Sequence, residues 1–171
     1  MSAVKLFDAR AWITANCSGG TILTAEALCV VSNFTLMWNL FEHFLCDDRA
    51  YPEKFDAIVG GIPDDGRLLN DIRCGLQFWT RRYRAVSEFN EDFRGLKFRA
   101  NDGQQHVEAV LFGAASGAHC EILAVLYIVH RLRNNLFHGL KTLDTLNDQV
   151  CNLDMACRAL GAIMVASGRI T

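Results

Sequence analysis

The sequence predicts an all-α fold, an antiparallel bundle of about five helices in a single domain spanning residues 1–171. Three observations carry that expectation. Apolar residues recur every three or four positions over long stretches, the spacing of one helix face. Pro, which removes a donor and clashes inside a helix, occurs only 2 times. No run alternates with period two for long enough to demand a strand. Hydrophobic residues at 51% and charged residues at 21% give a globular composition, and the length suffices for one substantial core.

The first helix is expected from about Thr24 to Cys46, with Ala27, Val30, Phe34, Met37, Phe41 and Phe44 inward, Thr24 as N-cap and Glu26 in the first turn. Asp47, Asp48 and Pro52 end it. A short irregular link through Gly60, Gly61 and Pro63 leads to a second helix, which begins near Asp64 and Asp65 on a seam of Leu68, Ile72, Leu76, Trp79, Tyr83 and Val86. Gly95 to Gly103 reads as a polar connection, followed by a shorter helix from about Gln105 to Ala115 that Ser116 and Gly117 close. The most apolar helix runs from about Ala118 to Asn134, with Ile122, Val125, Leu126, Val129 and Leu132 facing inward. The last covers about Leu143 to Ala166 on an almost heptad-like seam, with Thr142 as N-cap and Asp144 in its first turn.

Composition also bounds function. A net charge of −2 gives no global field that would draw in nucleic acid, so any RNA contact must come from a local basic patch. The seven Cys (Cys17, Cys29, Cys46, Cys74, Cys120, Cys151 and Cys157) are odd in number and scattered, without a Cys-x-x-Cys pair. That spacing points away from a zinc site and towards small core residues in a reducing, cytoplasmic setting. No metal or other cofactor is expected. Met1 to Trp12 lacks the apolar core of a signal peptide, and the longest strongly apolar run, Ile122 to Val129, is far short of the roughly 20 residues of a membrane span. A soluble protein with no membrane partner is the expectation.

The stretch that carries chemistry is His130-Arg131-Leu132-Arg133-Asn134-Asn135-Leu136-Phe137-His138-Gly139-Leu140-Lys141. Positions five apart diverge on a continuous helix of ~3.6 residues per turn. Arg133 and His138 therefore converge only if the helix ends near Asn135 and His138 swings back in the connection, with Gly139 as the stop and Thr142 as the next cap. An imidazole can take up or give a proton near neutral pH, and a guanidinium presents a planar fork to a phosphate. Together they suit metal-independent cleavage of RNA through its 2′-hydroxyl, with Asn134 orienting the imidazole or binding a phosphate oxygen. On spacing alone the same residues also read as a helix stop, because basic side chains, Asn and Gly favour helix C-termini.

Arg133, polar Asn134, three further residues and His138 resemble the Arg-x4-His signature of HEPN domains, which are helical bundles. The aromatic-rich segment Ser32-Asn33-Phe34-Thr35-Leu36-Met37-Trp38-Asn39-Leu40-Phe41-Glu42 is similar to the first helix of several HEPN proteins. The resemblance implies an endoribonuclease of the toxin, abortive-infection or phage-defence kind. In it Arg133 and His138 are catalytic, Asn134 assists, and a symmetric homodimer brings two motifs together. Members paired with a nucleotidyltransferase antitoxin carry a Tyr two residues after the His; Leu140 stands there instead, which leaves modification of that Tyr unsupported. The family's silent branch offers the alternative of a non-catalytic interaction or nucleotide-binding module that regulates a partner protein.

Beside the motif, Arg131 and Lys141 are candidate RNA contacts. Arg73, Gln77, Arg81 and Arg84 form one helix stripe, with Trp79 and Tyr83 nearby, and Arg81 and Arg84 are secondary RNA-binding candidates. The same cluster also reads as a solvated helix face whose aromatics belong to the core. His43, His106, His119 and His130 have no clustered partners in sequence and read as ordinary surface or hydrogen-bonded residues. Glu42 is placed to approach the motif, and Trp38 and Phe41 read as core.

Overall fold

A computed structural model of the chain describes residues 6–18, 23–63, 66–138 and 143–170. Among them are nine helices and no strand: α1 (Ala9–Asn16), α2 (Ala25–Leu45), α3 (Pro52–Gly60), α4 (Gly66–Tyr83), α5 (Glu91–Arg94), α6 (Gln104–Leu111), α7 (Ala118–Phe137), α8 (Leu143–Asn147) and α9 (Val150–Ala166). The fold is all-α, as periodicity predicts. Asp64, Asp65, Gly139, Leu140, Lys141 and Thr142 lie outside the described residues. No helix among the described residues is long and apolar enough to cross a membrane.

Local chemistry explains most boundaries. Thr24 caps α2 by accepting a hydrogen bond from the Ala27 N–H at 3.1 Å. The inner face of α2 is Ala27, Val30, Phe34, Trp38, Phe41 and Leu45, so Trp38 takes the place expected of Met37, which with Phe44 lies half-buried at the edge. The helix closes over Asp47 and Asp48, both left-handed at φ 50 and 65, with the Asp48 N–H donating to the Glu42 carbonyl at 3.0 Å. Asp tolerates that conformation because its short polar side chain can hydrogen-bond locally. Pro52 then opens α3 at its first position, where the missing N–H has no partner to lose.

Three expected elements differ. α4 stops at Tyr83, and the chain enters a tight turn bridged between Arg84 and Phe89, which leaves Val86 97% exposed rather than in the seam. The short helix ends at Leu111, not Ala115, and Gly117 instead precedes α7. The last helix is two: α8 ends at Asn147, the Gln149 N–H donates to the Leu146 carbonyl at 3.0 Å, and α9 starts at Val150. Asn and Asp at 147 and 148 are weak helix formers, and the Asn147 side chain accepts from the Thr24 N–H at 3.1 Å, tying α8 to the start of α2.

The core lies where α9 packs against α2 and α4, and where α7 packs against α3, α4 and α6. Phe34, Phe41, Trp79, Leu126, Ile128 and Leu160 are fully buried there. Asn152, inside the apolar seam of α9, takes the polar ends of two aromatics: Trp79 Nε1 donates to its Oδ1 at 2.7 Å and the Tyr83 hydroxyl at 3.2 Å, while its Nδ2 donates to Gln149 Oε1 at 3.0 Å. Such a knot leaves no buried donor of either ring unmatched. The cysteines depart from the core role expected of them. All are free; only Cys46 is buried, Cys17, Cys120 and Cys157 are half-buried, and Cys29, Cys74 and Cys151 are exposed.

Arg131 is an internal residue, which corrects its expected role as an RNA contact. Its Nη1 donates to Asp102 Oδ2 at 2.7 Å and its Nε to the Leu96 carbonyl at 3.0 Å, and the two side chains of the ion pair are 2% and 8% exposed. One turn on, Asn135 Nδ2 donates to the Gly95 and Leu96 carbonyls at 2.9 and 3.1 Å. The Gly95–Gly103 connection is thereby strapped along α7. At its end Gly103 adopts φ 73 with its Cα against the Tyr127 ring, where a Cβ would fall 2.4 Å from ring carbons, so only Gly fits.

Asp102→Ala strands the Arg131 guanidinium in the interior and is expected to cost about 3–5 kcal/mol, the usual loss for breaking a buried pair. The double variant Arg131→Met/Asp102→Leu, which removes both charges, is expected to recover part of that loss. Urea unfolding of the three proteins measures both effects; a single-variant loss below about 1 kcal/mol overturns the account.

Candidate functional site

α7 delivers the motif, and it continues further than the sequence argument required. The His138 N–H donates to the Asn134 carbonyl at 3.0 Å, so the helical ladder reaches the cap residue itself, which sits at φ −93, ψ 17. There is no break near Asn135. Arg133 and His138 therefore stand ~140° apart around the helix and ~7.5 Å apart along it at 1.5 Å per residue. His138 is exposed at the cap, and Arg133 is half-buried one and a half turns below.

Arg133 is held from three sides. Its Cζ lies 5.8 Å from the centre of the Trp38 ring of α2 and 5.1 Å from that of Phe137, within cation–π range of both. Its Nη1 donates to Asn134 Oδ1 at 3.2 Å. Phe137, 51% exposed, carries this arrangement to the surface beside His138.

Asn134 faces a different imidazole from the one expected. Its Nδ2 lies 3.2 Å from His130 Nε2. A guanidinium has only donors, so the amide oxygen must face Arg133 and the amide nitrogen must face His130. Nε2 of His130 is therefore the acceptor, and the ring proton is on Nδ1. Among the described residues, that Nδ1 is buried without a hydrogen-bond partner, as are Trp38 Nε1 and Arg133 Nε. The ring lies 6.0 Å from Trp38 and 5.7 Å, edge-on, from Phe55, an aromatic cage that offers weak N–H···π contacts at most. Burial drives His130 down to about 4; Asp102 opposes the shift, and Arg131, Arg133 and Arg99 reinforce it. Sequence reasoning treated His130 as ordinary, although its i,i+4 relation to Asn134 was a readable signal.

The other candidates are dispersed. Lys141 falls outside the described residues. Arg84 donates through Nη1 to the Leu111 carbonyl at 3.0 Å and lies 4.4 Å over the Phe112 ring, a structural brace on the end of α6. Arg81 is exposed on α4 and lines an open groove of about 410 Å³ together with Arg73, Gln77 and Glu121, in which Arg73 Nε pairs with Glu121 at 2.8 Å. Glu42 accepts from the Ala50 N–H at 3.3 Å, which ties it to the turn after α2. His43 pairs with Asp48 at 3.1 Å, His119 with Asp56 at 2.8 Å, and His106 Nε2 meets the Cys120 carbonyl at 2.9 Å. Trp38 and Phe41 are core, as expected. Another open groove, about 610 Å³ and lined by Cys29, Val30, Phe78, Val150 and Met155 among others, is apolar and lies between α2 and α9, with none of the motif residues in its wall. Among the described residues no three His, Cys, Asp or Glu side chains gather in a way that could hold a metal ion.

No family model matches the chain, and neither a curated protein nor a solved structure matches it.

The geometry makes stability pH-dependent. A folded His130 at about 4 lies below the unfolded value of about 6.5, so the unfolded chain binds the extra proton first and stability falls as pH drops from 6.5 towards 4. The loss attributable to this residue is on the order of 3 kcal/mol across that window. His130→Leu is expected to lower stability at neutral pH yet flatten the slope. An NMR titration that places the His130 midpoint above 6 overturns this assignment.

Proposed function

We propose that the protein is a metal-independent endoribonuclease whose active centre is the last turn of α7, with Arg133 and His138 as the catalytic pair. One observation supports this most: an exposed imidazole caps the helix that also carries a guanidinium within cation–π range of Trp38 and Phe137. In this reading the Arg133 fork binds the scissile phosphate and stabilises the charge that develops on it. His138 exchanges a proton with the 2′-hydroxyl nucleophile or the 5′-oxygen leaving group. The products are a 2′,3′-cyclic phosphate and a 5′-hydroxyl end. The likeness of Arg133-Asn134…His138 to the HEPN signature supports the same reading and brings with it a role in toxin or phage-defence systems.

The angular separation of Arg133 and His138 on one unbroken helix favours a centre completed by a second copy. Two motifs facing each other across a symmetric dimer place one chain's guanidinium near the other's imidazole, which one chain alone achieves poorly. Polymer binding at such a shared cleft also needs no enclosed cavity within one chain.

A second reading has its own support. With Arg131 buried in an ion pair and Arg84 engaged on the end of α6, the chain offers less free basic surface than the sequence suggests. That favours a non-catalytic module which binds a regulatory protein or an antitoxin.

Purified protein in EDTA is expected to cut single-stranded RNA to cyclic-phosphate ends. His138→Ala and Arg133→Ala are each expected to slow cutting by about 100-fold or more, the usual scale of a lost acid–base or charge-stabilising group. Intact RNA after prolonged incubation with the dimer, or a His138→Ala protein as active as the wild type, sinks the ribonuclease reading in favour of the binding module.

A further inference from the structure

We propose that His130 is a positioning residue for Arg133, acting through Asn134: its neutral ring accepts from the Asn134 amide, which fixes the amide oxygen on the guanidinium and so the direction in which Arg133 presents its fork. The inference rests on the ribonuclease reading for its consequence and on the His130–Asn134–Arg133 contacts for its geometry.

A long flexible side chain at a helix surface samples many rotamers, and a phosphate fork is useful only in one of them. Trp38 and Phe137 attract Arg133 but give no direction within the plane of the guanidinium. The one hydrogen bond that sets direction among the described residues is Nη1 to Asn134 Oδ1 at 3.2 Å. That bond exists only while the amide is turned oxygen-outward, and a carboxamide can flip at little cost unless both ends are matched. His130 Nε2, 3.2 Å from Nδ2, matches the inner end. The ring is itself immobilised, 8% exposed and caged by Trp38 and Phe55.

The charged groups that face His130 are Asp102 and Arg99 from the strapped connection and Arg131 and Arg133 from α7; Trp38 from α2 and Phe55 from α3 bring no charge. Burial among the aromatic rings keeps the ring neutral; the three guanidinium groups add to it and Asp102 opposes it. Protonation would set an Nε2–H against the amide N–H, release the amide and leave Arg133 undirected. Acid therefore disarms the arginine from inside, independently of His138.

The test compares the full-length wild type with His130→Gln, whose carbonyl can still accept from Asn134, and His130→Leu, which cannot. Both are expected to lower the melting temperature. His130→Leu is expected to lose about 10- to 100-fold in kcat/KM on a single-stranded RNA oligonucleotide, while His130→Gln stays within about threefold of wild type. A His130→Leu protein that cuts like wild type, or a His130→Gln protein that falls as far as His130→Leu, overturns the inference while the ribonuclease reading stands. If the wild type cuts no RNA, that reading fails separately and nitrogen NMR decides the positioning. An Nδ1–H tautomer for His130 with an Arg133 Nε–H signal that is sharp in wild type and averaged in His130→Leu supports it. An Nε2–H tautomer, or an Arg133 signal indifferent to His130→Leu, overturns it.

Discussion

The guanidinium of Arg131 inside the bundle is the constraint on which the rest of the arrangement depends. A buried cation is tolerable only with a carboxylate and further acceptors around it, and here Asp102 and the Leu96 carbonyl supply them. Meeting that demand brings the whole Gly95–Gly103 connection against α7, fixes where α6 begins and sets Gly103 on the Tyr127 ring. The pair also bears on His130 from both signs: burial holds that ring neutral, Arg131 with Arg133 and Arg99 adds to the effect, and Asp102 opposes it. The ion pair and the candidate site thus lie within reach of one another's charges, although no residue of the ion pair belongs to the motif.

Along α7 the two kinds of polar side chain divide by angle. Arg131 and Arg133 are ~200° apart on the helix, so one is driven inward and the other outward by the same backbone. His130 and Asn134 share a stripe, as do Arg131 and Asn135, each pair four residues apart. The Arg131–Asn135 stripe anchors the connection before α6, and the His130–Asn134 stripe faces Trp38 and Arg133. A short sequence dense in cations therefore contributes less free positive surface than its composition suggests.

The long helices were legible because each carries several turns of apolar spacing, enough to separate a face from chance. α1, α3 and α5, of 8, 9 and 4 residues, were not; Pro52, read as a stop for α2, is also the start of α3, and one residue gives no sign of which role it plays. The break before α9 was hidden by an apolar seam that runs straight through it from Leu146 to Val150. In the site, sequence placed Arg133 near the end of α7 but took the helix to stop near Asn135 with His138 in the connection, whereas the ladder reaches His138. It could not see that Arg131 would find Asp102, since 29 residues separate them, nor that burial would single out His130 among five histidines. Burial is a property of the assembled core, and no local pattern reports it.

The unbroken ladder from Ala118 to His138 makes the end of α7 intolerant of a change in length. Inserting or deleting one residue between His130 and His138 turns everything beyond it by ~100°, moving inward anchors to the surface and outward groups into the core. The turn between Arg84 and Phe89, closed by its own hydrogen bonds and topped by the exposed Val86, bears no such restriction. A length change at the tip of that turn therefore leaves the helices on either side in phase, whereas one along the end of α7 does not.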